Sequence, residues 1–432
     1  MSLFAERNSH IDSENAFKVG PHIFRVESQK GEVIKLNLGE PDFAVPIHIK
    51  DEVKRQLDLD NTKYCDPKGL LSLREAICTQ INQTRGLQTS PENVVVFPGG
   101  KPPIGLSQQV YCNHGDEVIY PSPGFPIYES FIRYVGAVPV PLHLKEKDNF
   151  TFSPDELAAK ITPKTKLIYL NFPSNPTGAI ASAKLLEDYA NVILENCSKD
   201  IRVYSDEIYE NIIYDGKKHH SISSIREIRD KIIIASGFSK TFAWTGGRIG
   251  YAVFPTVEEA DIFKKMNINY FSCVAPYNQE AAREAMENPL SKKAVQKMVD
   301  TFELRRNLIW AQINKIHGIK CQKPGGAFYL FPNISEMCKN LDLINKHQSL
   351  STREQGSPAK LFQMFSLYEH QVALLDRESF GKIGSDGEHF LRLSIAAEQS
   401  VLEEGVRRIK AAAKDESGLD KFLKKRPDMN LF

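Results

Sequence analysis

The chain has 432 residues, 41% of them hydrophobic and 25% charged, with a formal net charge of +1. That length exceeds the usual span of one hydrophobic core and predicts two domains in an ordinary globular protein. So even a charge balance excludes an overall field that would draw in nucleic acid or an anionic membrane.

In chain order, residues 1–10 carry Glu6, Arg7 and Asn8 around a short apolar patch, which does not read as a signal peptide. No apolar run reaches the roughly 20 residues of a membrane helix. The seven cysteines form no CxxC pair, and their number is odd. They read as reduced, mostly buried thiols of a cytoplasmic protein. Residues 70–83 and 182–195 read as helices. Residues 94–97, 117–120, 167–170, 201–204, 232–235 and 249–254 read as buried strands. This alternation predicts an α/β domain, a mostly parallel sheet with helices on both faces. After about residue 288 the pattern changes to a long charged helix at 292–316, short strands at 327–331 and 390–394, and a helix at 400–413, as in a smaller α+β domain. Residues 347–358 are polar and read as a mobile loop. The basic tail 414–432 reads as a solvated helix end, because acids are interspersed.

Chemistry concentrates at strand ends. Ser236-Gly237-Phe238-Ser239-Lys240 closes one strand, where ligands gather in open α/β sheets. An amine there can form an imine with an aldehyde, although a lysine alone is more often a solvated surface group. Arg248, beside Gly246 and Gly247, can grip a phosphate with two hydrogen bonds. Gly99-Gly100-Lys101-Pro102 joins a strand to an expected helix, whose free N–H groups suit phosphate; each glycine pair also fits a plain tight turn. Leu106 stands where a nucleotide P-loop needs lysine, which rules that motif out. Asp206 at another strand end could hold a protonated ring nitrogen, or merely cap a helix. Tyr209 follows it. Asn175 projects from the rigid NFPSNPTG turn of residues 171–178. Adjacent His219 and His220 have poor spacing for a metal and read as a solvated loop, and His389 stands without an obvious partner.

Together LNLGEPDF, YCDPKGLLSLREAI, PGGKPPI, GDEVIYPSPGFPIYE, NFPSNPTG, YSDEIY, SGFSKTFAWTGGRIGY, PGGAFYLFP and FLRLSIA resemble, in order and over most of the chain, the class I/II aminotransferases of fold type I, in their aspartate-aminotransferase-like branch. The resemblance implies a large domain at 49–288 with a mostly parallel sheet of the seven-stranded type. It also implies a small α+β domain at 289–432, an N-terminal segment at 1–48 packing with it, and a homodimer with shared sites. It implies pyridoxal 5′-phosphate as cofactor, carried by Lys240 as a Schiff base, with Lys240 also moving the substrate's α-proton. Asp206 would hold the pyridine nitrogen protonated. Tyr209 and Asn175 would bond the ring oxygen, and Phe125 would stack on the ring. Gly100, Lys101, Ser239 and Arg248 would hold the phosphate, while Tyr64 would reach the phosphate in a neighbouring subunit. Arg392 would clamp the substrate α-carboxylate, assisted by Asn175 and Gly39. Lys101, in the branch that reads GGK, is associated with the distal carboxylate of aspartate or glutamate or else merely supports the phosphate loop; on the first reading a dicarboxylate pair such as aspartate and 2-oxoglutarate leads.

Three departures stand out. Many relatives carry Trp where this chain has Gly247, and residues 376–387 replace a shorter turn. Phe125 stands where aspartate-specific relatives often carry Trp, which leaves an aromatic or neutral amino acid open. A β-lyase would share Lys240 and Arg392. A ligand sensor of the same fold is disfavoured, because no helix-turn-helix is apparent.

Overall fold

Seven short runs rich in valine, isoleucine and leucine form the central sheet of the computed structural model, which describes residues 3–350, 356–381 and 387–426. Across the sheet the order is Val94–Phe97, Gly250–Val253, Ile232–Gly237, Arg202–Asp206, Thr165–Asn171, Glu117–Ser122 and Val138–His143. Gly250–Val253 runs antiparallel to both neighbours, and the remaining pairings are parallel. Each strand is apolar on both sides because both faces are covered by helices. Side chains alternate between two cores. Val94, Val96, Ile168, Val203 and Ile234 pack under the helices Leu71–Arg85, Ala183–Asn196 and Pro276–Glu287. Val95, Phe97, Tyr169, Tyr204 and Ile233 pack under Lys101–Tyr111, Ile127–Tyr134 and Val257–Tyr270.

The strand Val138–His143 carries Pro139 and Pro141, and sequence reading passed over it. It lies at the sheet edge, where a residue without an N–H is tolerated, and pairs with the single neighbour Glu117–Ser122.

A third core joins Val19, Ile23, Val33 and Leu36 to the C-terminal elements. Ile34–Lys35 pairs in parallel with Val372–Ala373. Leu391–Ser394 lies between Leu375–Asp376 and Tyr329–Leu330 in a small antiparallel sheet. The strand expected at 327–331 shortens to Tyr329–Leu330, because Ala327 has φ +55° and donates its N–H to the Ile212 carbonyl. The expected loop 347–358 is in part helical: His347 and Gln348 end Leu343–Gln348, Pro358 opens Pro358–His370, and residues 351–355 lie outside those described.

The tail also differs from expectation. Glu416–Lys425 is an amphipathic helix whose Leu419 and Phe422 are buried, with Phe422 edge-on to Phe365 at 5.6 Å. It is docked, and only one face is solvated. All seven cysteines are free; Cys78, Cys321 and Cys338 are buried and the other four half-buried. No helix among the described residues is long and apolar enough to cross a membrane. Phe422→Ala should lower stability by about 3 kcal/mol, as expected for truncating a buried aromatic, read as an earlier midpoint in chemical denaturation.

Candidate active site

Parallel register brings functional side chains to one line. Asn171 pairs with Asp206 and Asp206 with Ala235, so three strands end together. Beyond these ends lies a cavity of about 130 Å³. Gly100, Lys101, Phe125, Asn175, Asp206, Tyr209, Ser239, Lys240 and Arg248 line it, as does Ile208. Gly39 and Arg392 adjoin through hydrogen bonds to Lys240 and Asn175. Tyr64 is not brought into the group: it is 87% exposed on the surface of the single chain.

Lys240 is half-buried, and its Nζ donates to the Gly39 carbonyl at 2.6 Å. Burial brings the amine down to about 8, outweighing Glu40, while Arg392 adds to the depression. A lysine in that range can lose its proton near neutrality and act as base or nucleophile.

Asp206 is buried, and burial pushes its carboxyl up to about 6. Tyr128 opposes that shift by donating from its hydroxyl to Oδ2 at 2.6 Å, and the Ile208 N–H adds a longer bond to Oδ1. Tyr128 stacks on Tyr169 at 4.6 Å, and Tyr169 in turn bonds Gln108 and the Ile104 carbonyl. Sequence reasoning missed Tyr128. It stands within the quoted GFPIYE run, but its partner is 78 residues away. Tyr209 Oη shares a hydrogen bond with Tyr329 Oη at 2.8 Å, in which either hydroxyl can donate.

The cavity has cationic ends. Arg248 is exposed and adopts φ +51°; its Nη1 donates to the Thr245 carbonyl at 2.7 Å. A Cβ at Gly99, itself at φ +101°, would collide with Arg248 Nη2, so the guanidinium packs against bare backbone. Gly100 caps the helix Lys101–Tyr111, which begins beside it with proline in its first turn. Free N–H groups there suit an anion. The indole of Trp244 covers Gly247, 2.3 Å from where a Cβ would stand, so an indole reaches this spot from three residues earlier.

Arg392 is buried. It donates from Nη2 to the Asn37 carbonyl at 2.5 Å and from Nη1 to Asn175 Oδ1 at 3.1 Å, and lies 4.5 Å from the Tyr329 ring. Its Nε is buried with no hydrogen-bond partner among the described residues. An orphaned cationic donor of this kind suits an incoming carboxylate. Lys101 pairs with Glu14 and stands over the Phe17 and Phe125 rings.

Beneath the cavity floor, Arg85 bonds Glu207 and Glu210. Burial alone would raise the Glu207 carboxyl, but Arg85, then His219 and Ser221, hold it well below its ordinary range. His219 is therefore no solvated loop residue: its Nε2 lies 3.0 Å from Glu207 Oε2. Glu207, Glu210 and His219 stand close enough to share a cation, but the Arg85 guanidinium already bonds both carboxylates.

Comparison with known proteins agrees with this geometry. A family model described as aminotransferase class I and II matches residues 31–409. An aspartate aminotransferase of Pyrococcus abyssi is 34% identical, over 91% of this chain and 95% of the relative. An aromatic-amino-acid aminotransferase of Thermococcus litoralis is also 34% identical, over 89% and 92%. The crystal structure of the aspartate aminotransferase from Rhizobium meliloti superposes with a TM-score of 0.85 at 28% identity, covering 96% of this chain and 99% of that one.

The carboxyl of Asp206 gives a signed pH prediction. Its raised value means that the folded protein holds the proton more tightly than the unfolded chain, whose value is 3.8. The corresponding stability is complete below about pH 4 and lost as pH rises through about 6, up to about 3 kcal/mol. Asp206→Asn cannot titrate. Without added ligand, its melting temperature should exceed that of the unsubstituted protein at pH 7.5, with a smaller gap at pH 5.

Proposed function

The chain belongs to the class I and II aminotransferases, and from its site we propose that it uses pyridoxal 5′-phosphate in the cavity beside Lys240 to exchange amino groups between dicarboxylic amino acids and 2-oxo acids. The observation that carries this reading is the convergence of a half-buried amine and a buried carboxyl in one cavity, with the Arg392 guanidinium, whose Nε has no partner among the described residues, adjoining it through Asn175. The residues fit the cofactor. Asp206 offers an acceptor for a ring N–H. Arg248 and the start of Lys101–Tyr111 offer donors for a phosphate, with Ser239 alongside. Phe125 offers a ring face, and Asn175 and Tyr209 offer polar atoms for the ring oxygen.

When bound, the cofactor supplies an electron sink for the substrate's α-carbon. The protein supplies the rest. Arg392 grips the α-carboxylate, and Asn175 steadies the guanidinium. Lys240 Nζ would hold the cofactor and, when free, would carry the proton between the substrate's α-carbon and the cofactor's C4′. A value near 8 suits both directions at neutral pH. Tyr128 holds Asp206 in place and favours its charged form. Tyr64, exposed here, would reach the cofactor phosphate of a second copy in a homodimer. Lys101 would receive the distal carboxylate, a role supported by its position on the cavity wall.

Lys240→Ala should lower kcat by about 10³-fold or more, the scale of losing a positioned base. Borohydride should fix the cofactor on the peptide containing residue 240 in the unsubstituted protein and leave the variant unlabelled; labelling elsewhere would refute the assignment. Lys101→Ala should lower kcat/KM for aspartate by about tenfold or more, the scale of one charge-assisted hydrogen bond, and alanine far less. Equal losses would exclude Lys101 as the distal-carboxylate group.

A further inference from the structure

The side chain nearest to Lys101 Nζ is not a solvent-facing group but another part of the chain. Glu14 forms an ion pair with it, and the amine stands 5.5 Å from the centre of the Phe17 ring and 5.9 Å from that of Phe125. Glu14 sits just before the short helix Asn15–Lys18, and its side chain is 15% exposed. Its charge also reaches Lys240, Arg392 and Tyr329, so the carboxylate stands near the group that would clamp the α-carboxylate.

The backbone around Glu14 is fastened on both sides. The Asp12 N–H donates to Ser130 Oγ at 2.8 Å. Asn15 Nδ2 donates to Ser379 Oγ at 3.0 Å, and Asn37 Nδ2 to the Ala16 carbonyl at 3.3 Å. Asn37 also accepts, through its carbonyl, the bond from Arg392 Nη2. The segment that presents Glu14 is thus tied to the group that would clamp the α-carboxylate. With the backbone fastened, turning the Glu14 side chain is enough to release Lys101.

We propose that Glu14 is a specificity-determining residue. Its carboxylate occupies on Lys101 the place of a substrate's distal carboxylate, so dicarboxylates bind by displacing it and uncharged side chains bind with the pair closed. The inference rests on Lys101 as the receiver of the distal carboxylate. A lone cation in this place would favour acidic substrates and oppose cationic ones. Paired with Glu14 it is neutralised, and the Phe125 ring on the cavity wall offers an apolar face to an uncharged side chain. Dicarboxylates then have to compete with a tethered carboxylate for one amine, a form of specificity by opposition. Lys101 is 45% exposed, so the pair is of modest strength and the competition attenuates acidic substrates without excluding them.

The test is calorimetric titration of the holoenzyme with maleate, in the unsubstituted protein, Glu14→Gln, Lys101→Ala and the double variant. Removing the Glu14 charge should tighten maleate by about fivefold, the scale of a partly exposed ion pair. The ratio of kcat/KM for aspartate over phenylalanine should rise in parallel. In the double variant, maleate should bind as in Lys101→Ala. Unchanged or weaker binding in Glu14→Gln, while Lys101→Ala weakens it, overturns the role of Glu14 and leaves Lys101 standing. Tightening that persists without Lys101 also overturns it. Maleate binding that ignores Lys101→Ala removes the assignment of Lys101 and this inference together.

Discussion

A lysine amine held in a largely dry cleft, with the Gly39 carbonyl as its hydrogen-bond acceptor, is the constraint to which the rest of the site answers. Withdrawing the amine from water weakens its hold on the proton, which makes it useful as a base and a nucleophile. The same withdrawal requires rigid surroundings. Lys240 lies one helical turn beyond Ile232–Gly237, and Gly39 follows a segment anchored by the pairing of Ile34–Lys35 with Val372–Ala373. The acceptor and the amine therefore come from elements 201 residues apart, joined only when both cores have formed.

Asp206 poses the opposite problem. Its carboxyl is pushed up by burial, yet its proposed work requires a charge. Tyr128 offsets part of that cost, and the stack on Tyr169 holds the phenol where it must be. A positively charged ring nitrogen arriving at Asp206 would offset far more, because opposite charges in a dry site attract strongly. The Arg85 network keeps the adjacent Glu207 ionised, so the two neighbouring carboxyls are held in opposite ways, one by burial and one by a guanidinium.

The parts legible in the sequence are those whose signal is local. Runs such as Val94–Phe97 and Ile232–Gly237 declare buried strands, and a lysine or aspartate at a strand end declares a site before any contact is known. The aminotransferase family is written in short contiguous motifs. What stayed hidden depends on distant partners or on context. Val138–His143 is a strand because an edge tolerates its prolines. Tyr128 matters through Asp206, and His219 through Glu207. Trp244 matters because Gly247 leaves its indole room. None of these carries a periodicity or spacing that marks it, since a sequence does not state which residues meet, whether the partner lies 12 positions away, as Glu207 does from His219, or 78, as Asp206 does from Tyr128.

The same distinction explains why substrate choice is the least visible property. An aspartate aminotransferase and an aromatic-amino-acid aminotransferase match this chain at the same 34% identity. Under the proposal above, discrimination among side chains would fall to the surroundings of Lys101, where Phe125 of a later loop and an N-terminal segment outside the matched residues 31–409 meet it. Glu14 and Phe17 lie in that segment, so their influence on specificity cannot follow from the family match. It has to follow from the charge and the ring they bring to Lys101, and a tethered carboxylate beside a cation changes which free carboxylate that cation can bind.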